Sequence, residues 1–262
     1  MTIHQPVVAG MFYPAQAGPL RAMVADLLAG APALDVPPPK AVILPHAGYR
    51  YSGSVAAAGA ATLAPGVRRV VVLGPSHRFA FRGVALPAAA AMRTPLGDVP
   101  IDADAVRALL REPEVRVLPQ AHAAEHSIEV ELPFLQHRLG DFSIVPLVVG
   151  EIGIARLAEI VETLWGGDET LIVVSSDMSH YLPYAAACRR DRGTADAILR
   201  LEASLVPEDA CGAAPINGLL RTARKRALRV EEVDLRNSGD TAGDRDRVVG
   251  YAAFAFCEGA RA

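Results

Sequence analysis

AVILPHAGYRYSG, residues 41–53, reads as a strand that hands a histidine to a loop. Ala41 to Leu44 is a short, unbroken apolar run, which fits a strand buried on both faces, and Pro45 ends it. His46 then stands at the strand's exit, Gly48 follows, and a helix start is expected near Ser52. The design recurs downstream. Arg69 to Gly74, RVVVLG, is a second apolar strand, and Pro75-Ser76-His77 presents a second imidazole. In open α/β sheets ligands sit beyond the carboxyl ends of the strands, so neighbouring exits can aim side chains at one point. Two imidazoles there suggest a metal, because neutral imidazole is the commonest metal ligand. Taken singly, each also fits a solvated or hydrogen-bonded loop residue.

The rest of the chain alternates strand and helix around these two runs. Gly83 to Pro87, Ser143 to Val149, Thr170 to Ser175, Arg229 to Leu235 and Val248 to Cys257 read as further strands. Helices are expected from Gly18, with Leu20, Met23, Leu27 and Leu28 on one face, and over Val55 to Leu63. Others are expected over Ile101 to Arg111 with Asp102 as its cap, Ile154 to Leu164, Asp191 to Leu205 and Asn217 to Ala227. Residues 1–16 read as an irregular arm, and Pro32 to Pro39 as a stiff connector. Thr94 to Asp98 is turn chemistry, and the charged stretch Thr241 to Arg247 is a loop. Continuous rather than alternating apolar strands argue a sheet covered by helices on both faces, an α/β fold.

Three polar segments carry the remaining chemistry. In Gln120 to Gln136 a charged loop runs into an amphipathic helix, with His122 and His126 at a spacing that shares one helix face. With Glu125 or Glu129 they could form a metal or substrate site; satisfied helix-terminal groups are the plainer reading, favoured for His122. Ser175-Ser176-Asp177-Met178-Ser179-His180 is a third polar strand exit, where Asp177 is either a helix cap or a carboxylate that orients His180 for proton transfer. Asn237-Ser238-Gly239-Asp240-Thr241 is a fourth.

Whole-chain numbers narrow the partners. A net charge of −3 and a pI near 6.2 leave no electrostatic footprint for nucleic acid or an anionic membrane, so a small molecule or a protein is the expected partner. Cys188, Cys211 and Cys257 are an odd, widely spaced set with no CxxC pair, which argues against a disulfide framework or a cysteine zinc site and fits a reducing cytoplasm. Cys211 reads as a buried structural residue. The N-terminus shows no signal-peptide pattern, and no apolar run reaches the ~18 residues a membrane span needs, so a soluble protein is expected.

In order along the chain, AGMFYP, LPHAGYRYSG, LGPSH, EHSIEVELPFLQ, SSDMSH, CG with the following PI, and GYAAFAF closely resemble the Memo family, known in bacteria as AmmeMemoRadiSam system protein B. The resemblance spans essentially the whole chain. It implies one domain over residues 1–262, with an arm at 1–16 and a core at 17–258. The implied fold is a three-layer α/β/α sandwich with a mostly parallel or mixed central sheet, similar to the LigB-type class III extradiol dioxygenases. Those enzymes hold non-haem Fe(II) with two histidines and a carboxylate. The family's metal histidines fall on His46 and His77, and Asp240 stands where the animal protein has a ligating cysteine. The expected metal set is therefore His46, His77 and Asp240, holding a divalent ion, first Fe(II), with Zn(II), Mn(II) or Cu as alternatives. His180 is the expected acid/base, Asp177 its orienter and His126 a pocket-lining donor. The function implied is an iron-dependent oxidoreductase acting on a small chelating substrate. A non-catalytic metal-binding or scaffold protein, associated with a radical SAM protein, and a zinc hydrolase are the alternatives.

Overall fold

The computed structural model describes residues 2–259; residues 1 and 260–262 of the expected domain lie outside the described residues. In chain order the strands are β1 (Ile3–His4), β2 (Ala41–Leu44), β3 (Arg69–Pro75), β4 (Val84–Leu86), β5 (Ala91–Thr94), β6 (Gly97–Pro100), β7 (Val115–Val117), β8 (Ser143–Val149), β9 (Thr170–Ser175), β10 (His180–Leu182), β11 (Arg229–Asn237) and β12 (Val248–Cys257). The α-helices are α1 (Ala17–Ala29), α2 (Tyr49–Ala61), α3 (Ala103–Leu109), α4 (Pro119–His122), α5 (Leu132–Leu139), α6 (Ile154–Thr163), α7 (Tyr184–Leu199), α8 (Ala213–Lys225) and α9 (Ser238–Thr241).

The large sheet runs β10-β12-β2-β9-β3-β8-β4-β7, with β11 also paired to β12. Its centre, β2-β9-β3-β8, is parallel, while β12 against β2 and β4 against β8 are antiparallel, so the sheet is mixed. Strand β9 lies between β2 and β3, with Leu44 opposite Ser175 and Leu73 opposite Val174. All three chains therefore leave the sheet at the same end and nearly the same level. That register brings His46, His77 and Ser175 to Asp177 together.

Side-chain alternation divides the core in two. Val42, Leu44, Val70, Val72 and Val173 face a layer that includes Leu20, Val24, Val55, Phe134 and Leu135 from α1, α2 and α5. Ala41, Ile43, Val71, Leu73, Ile172 and Val174 face the opposite layer, with Leu109, Leu157, Ile160, Ile198, Ile216 and Leu219 from α3, α6, α7 and α8. The result is a three-layer α/β/α sandwich. Helix α2 approaches its face of the sheet closely: a Cβ on Gly59 would stand 2.3 Å from Leu44 Cδ2 and 3.0 Å from Ala253 Cβ. Among the described residues, no helix is long and apolar enough to cross a membrane.

Departures from the sequence reading have local causes. Strands β1, β5 and β6 form a small separate sheet, and β7 and β10 are added to the large one; each is two to four residues long, too short for a period to show. Helix α7 covers Tyr184–Leu199 rather than residues 191–205, because the exposed Arg189 and Arg190 are part of its solvent face and Leu201 leaves the helix at φ +54°. The segment around His126, expected as a charged loop running into one amphipathic helix, forms α4, a 3₁₀ turn at Glu129–Glu131 and α5. Its two histidines consequently share no helix face. Pro133 does sit in the first turn of α5, where the missing N–H costs nothing.

Candidate metal centre

His46 is 2% exposed, and two residues of the β9 exit grip it. Its backbone N–H donates to Asp177 Oδ1 at 2.9 Å, and its ring Nδ1 lies 2.8 Å from Ser175 Oγ. Glu125 performs the same office for His77, accepting the backbone N–H at 2.7 Å and the ring Nδ1–H at 2.9 Å. Glu125 also accepts the backbone N–H groups of His126 and Ser127, each at 2.9 Å. Burial alone would raise this carboxyl. The His77 ring and the backbone N–H groups of His77 and Ser127 outweigh that and bring it down to about 2.

His126 completes the group. Its ring stacks on that of His77 with centroids 4.9 Å apart, and the edge of Phe12 packs against it at 4.9 Å. The His46 ring centroid is 5.1 Å from that of His77 and 5.5 Å from that of His126. One ring nitrogen from each histidine lies within 4.8 Å of the other two. Burial, then the neighbouring imidazoles, push His46 well below its ordinary value; burial brings His126 to about 4. Neutral imidazole is the metal-binding form, so these two residues need release no proton to bind. Hydrogen bonds at Nδ1 of His46 and His77 leave Nε2 as the donor of each, an arrangement in which outer partners set the tautomer. The side chains therefore fit a divalent ion held by three imidazoles.

Asp240, expected as the third ligand, is placed elsewhere. It is exposed on α9, where Oδ2 accepts the Asn237 N–H at 3.1 Å and Oδ1 accepts the Tyr184 hydroxyl at 2.7 Å. Together with the Asn237 side chain this is a capping box, and it commits both carboxylate oxygens to the turn. His126, expected as a pocket-lining donor, does line the cavity and also stands with His46 and His77. His122 is outside the group, its Nε2 bonded to the Ala85 carbonyl at 3.0 Å in a buried setting.

The cluster opens on a cavity of about 720 Å³, lined among others by Phe12, Tyr51, Arg78, Asp177, His180, Tyr181 and Arg247. His180 is half-buried on this wall; burial lowers its pKa, with the Met178 carbonyl opposing. Asp177 spends its carboxylate on the His46 backbone rather than on His180, so the expected orienting pair is replaced by an acid that anchors the β2 exit. The arm at residues 6–13 is tied down by Glu129, which accepts the N–H groups of Val7 and Val8 and the Tyr13 hydroxyl. That anchorage holds Phe12 against His126.

Burial raises Asp177 to about 7 against the hydrogen bonds it accepts from His46 and Ala47. Between roughly pH 4 and 7 the folded chain holds a proton here that the unfolded chain has lost, so this residue's contribution to stability falls as pH rises through that window and is level above it. Asp177→Asn cannot titrate. In the metal-free protein, its unfolding free energy relative to the parent should improve by on the order of 2–4 kcal/mol between pH 4 and 7.5, read from urea titrations. A difference independent of pH would show that Asp177 is ionised throughout.

Sequence reading passed over Ser175 and Glu131 as site residues. Ser175 is the last residue of an apolar strand, and Glu131 is an acid between Val130 and Leu132 that is 0% exposed. An acid directly flanked by Val130 and Leu132 is the available signal.

Comparison with known proteins agrees on the family. The model of the family described as Memo-like protein matches residues 4–255. A MEMO1 family protein of Aquifex aeolicus is 35% identical over 98% of this chain and 100% of its own length. Those of Archaeoglobus fulgidus and Methanosarcina acetivorans are 36% and 37% identical, each over 97% of this chain and 99% of their own. Among solved structures, the uncharacterized protein JW3007 from Escherichia coli K12 aligns with a TM-score of 0.53 at 15% identity, over 82% of this chain and 98% of that one, which is a likeness of fold alone.

Proposed function

The chain belongs to the Memo-like protein family, and on that footing we propose that it is a mononuclear metal enzyme, iron-dependent and oxidative, acting on a small anionic chelating substrate. The observation that carries this reading is the convergence of His46, His77 and His126 at the wall of an open cavity. Three protein donors leave positions free for substrate, as catalytic centres require and closed structural sites do not. When bound, the ion would supply a Lewis acid at which two oxygens of a chelating substrate can sit and, as Fe(II), a site for O₂ chemistry.

The chain's own residues define what enters. Phe12, Tyr51 and Tyr251 give the cavity aromatic walls that suit a ring and exclude water. Arg78 and Arg247 lie on the same lining, the latter with its guanidinium over the Tyr181 ring at 5.1 Å. Three neutral imidazoles leave the charge of a divalent ion uncompensated, and two arginines add to it, so an anion is favoured. On this reading His180, on the cavity wall, takes a proton from a hydroxyl of the substrate and returns it to product. Arg247→Gln should weaken a carboxylate-bearing catechol about tenfold, the value of one charge-assisted hydrogen bond, and leave catechol itself unchanged. Equal losses for both ligands, measured by calorimetry, would remove Arg247 from substrate recognition.

The all-imidazole set also gives weight to a second reading, because three histidines and a water are a donor set of catalytic zinc. Anaerobic purification without added metal, elemental analysis, and a catechol-type substrate screen with an oxygen electrode distinguish the two. Iron with O₂ uptake matched to substrate loss is expected. Zinc with ester or amide hydrolysis and no O₂ uptake would replace the oxidative reading with the hydrolytic one.

A further inference from the structure

Ser175 Oγ has three polar neighbours and one proton. The Ser127 carbonyl lies at 2.6 Å, Glu131 Oε1 at 2.8 Å and His46 Nδ1 at 2.8 Å. A carbonyl can only accept, so the hydroxyl proton goes to Ser127. The two other neighbours must then donate to the oxygen's two lone pairs. For His46 this requires the Nδ1–H tautomer. For Glu131 it requires a neutral carboxylic acid, since an ionised carboxylate would face the lone pairs of Ser175 Oγ at hydrogen-bond distance.

Two further observations agree. Glu131 is 0% exposed, and its Oε2 has no partner among the described residues. An orphaned oxygen is far less costly on a neutral carbonyl than on an anion. Burial first, and the nearby Asp177 charge as well, push this carboxyl well above the usual range, with Ser175 opposing. On the far side of the imidazole, Cys211 Sγ lies 3.4 Å from His46 Nε2, a contact in which the thiol can donate to the unprotonated nitrogen of this tautomer.

We propose that Glu131 is a buried neutral acid which, through Ser175, locks His46 as its Nδ1–H tautomer and holds the Nε2 lone pair toward the metal centre. Glu131 is thus a positioning residue that touches no metal or substrate. The tautomer assignment stands without any ion; the effect on affinity rests on the metal centre proposed above. The close approach of Ser127 depends on Gly74, whose Cβ would fall 2.2 Å from Ser127 Oγ.

The test has two arms. In the metal-free protein, ¹⁵N NMR of labelled histidine should show His46 protonated at Nδ1, and infrared difference spectra at neutral pH should show the carbonyl stretch of a protonated acid that Glu131→Gln removes. In the second arm, Zn(II) alone is titrated into the parent and the variants. Ser175→Ala removes the acceptor for Nδ1–H and should weaken Zn(II) binding about 10–100-fold, the usual cost of losing an outer partner. Glu131→Gln keeps an N–H donor toward Ser175 and should stay within about threefold, whereas Glu131→Leu should lose about tenfold or more. An Nε2–H tautomer in the parent, the absence of the acid's infrared band, or equal losses for the Gln and Leu variants would overturn the proposal. Should Glu131→Leu fail to fold, the tautomer and the infrared band decide. If Zn(II) binds to none of them, the metal reading fails, while the spectra still judge the tautomer lock.

Discussion

His46→Ala or His77→Ala is expected to weaken a bound divalent ion by about 10²–10³-fold, enough to strip it during purification. Structural zinc sites gain roughly 10–16 kcal/mol from four ligands, so one ligand is worth about 3 kcal/mol or more, and about 1.4 kcal/mol is tenfold. Neither substitution should unfold the chain. Both imidazoles lie beyond the ends of β2 and β3 rather than within the two side-chain layers of the core. The two variants still differ in one respect. Removing His77 leaves Glu125 buried and charged without its ring partner, whereas Glu125 retains the backbone N–H groups of His77, His126 and Ser127. His77→Ala should therefore lose some acid tolerance as well, visible as unfolding at a higher pH than for the parent. Competition with a chelator of known affinity measures the first effect, and unchanged affinity in either variant would remove that residue from the centre.

Phe254→Ala should destabilise the fold by about 3–5 kcal/mol, the range for an aromatic truncated in a core that cannot collapse onto the cavity. Phe254 is 0% exposed on β12, opposite Ile43 of β2. Its neighbours Ala253 and Ala255 face the layer of α2, while Phe254 and Phe256 fill the other side, where α7 packs on β12 and Ile198 belongs to the same core. Small residues on one face admit a close helix; large ones on the other fill a wider gap. Urea titration reads the effect as a lowered midpoint at unchanged slope. A loss under about 1 kcal/mol would mean that this side of the sheet is loosely packed.

The architecture was largely legible because its central strands are unbroken apolar runs. RVVVLG, SIVPLVV and TLIVVS lie side by side as β3, β8 and β9, and VVGYAAFAFC spans all of β12. Their order in the sheet was not legible, since parallel register depends on packing between segments far apart in sequence. The final strand illustrates the point: last in sequence, it lies inside the sheet, between β2 and the pair β10 and β11. At the site, His46 and His77 could be read from strand exits alone. Asp240 could not, because a capping box is written in the same letters as a metal ligand, and only the turn geometry shows which one uses the carboxylate. His126 sits in a loop between short helical pieces, where no period points inward. Glu131 and Ser175 act through hydrogen bonds across the sheet end, and no local pattern encodes those.

The choice between His126 and Asp240 as the third donor is tested most directly by metal stoichiometry. The parent, His126→Ala and Asp240→Ala are loaded with Fe(II) anaerobically, desalted and analysed for metal per chain. The parent and Asp240→Ala should each retain about one ion while His126→Ala, short of one ligand, should lose most of it. Retention by His126→Ala together with loss by Asp240→Ala would contradict the three-imidazole centre and restore the carboxylate to the metal.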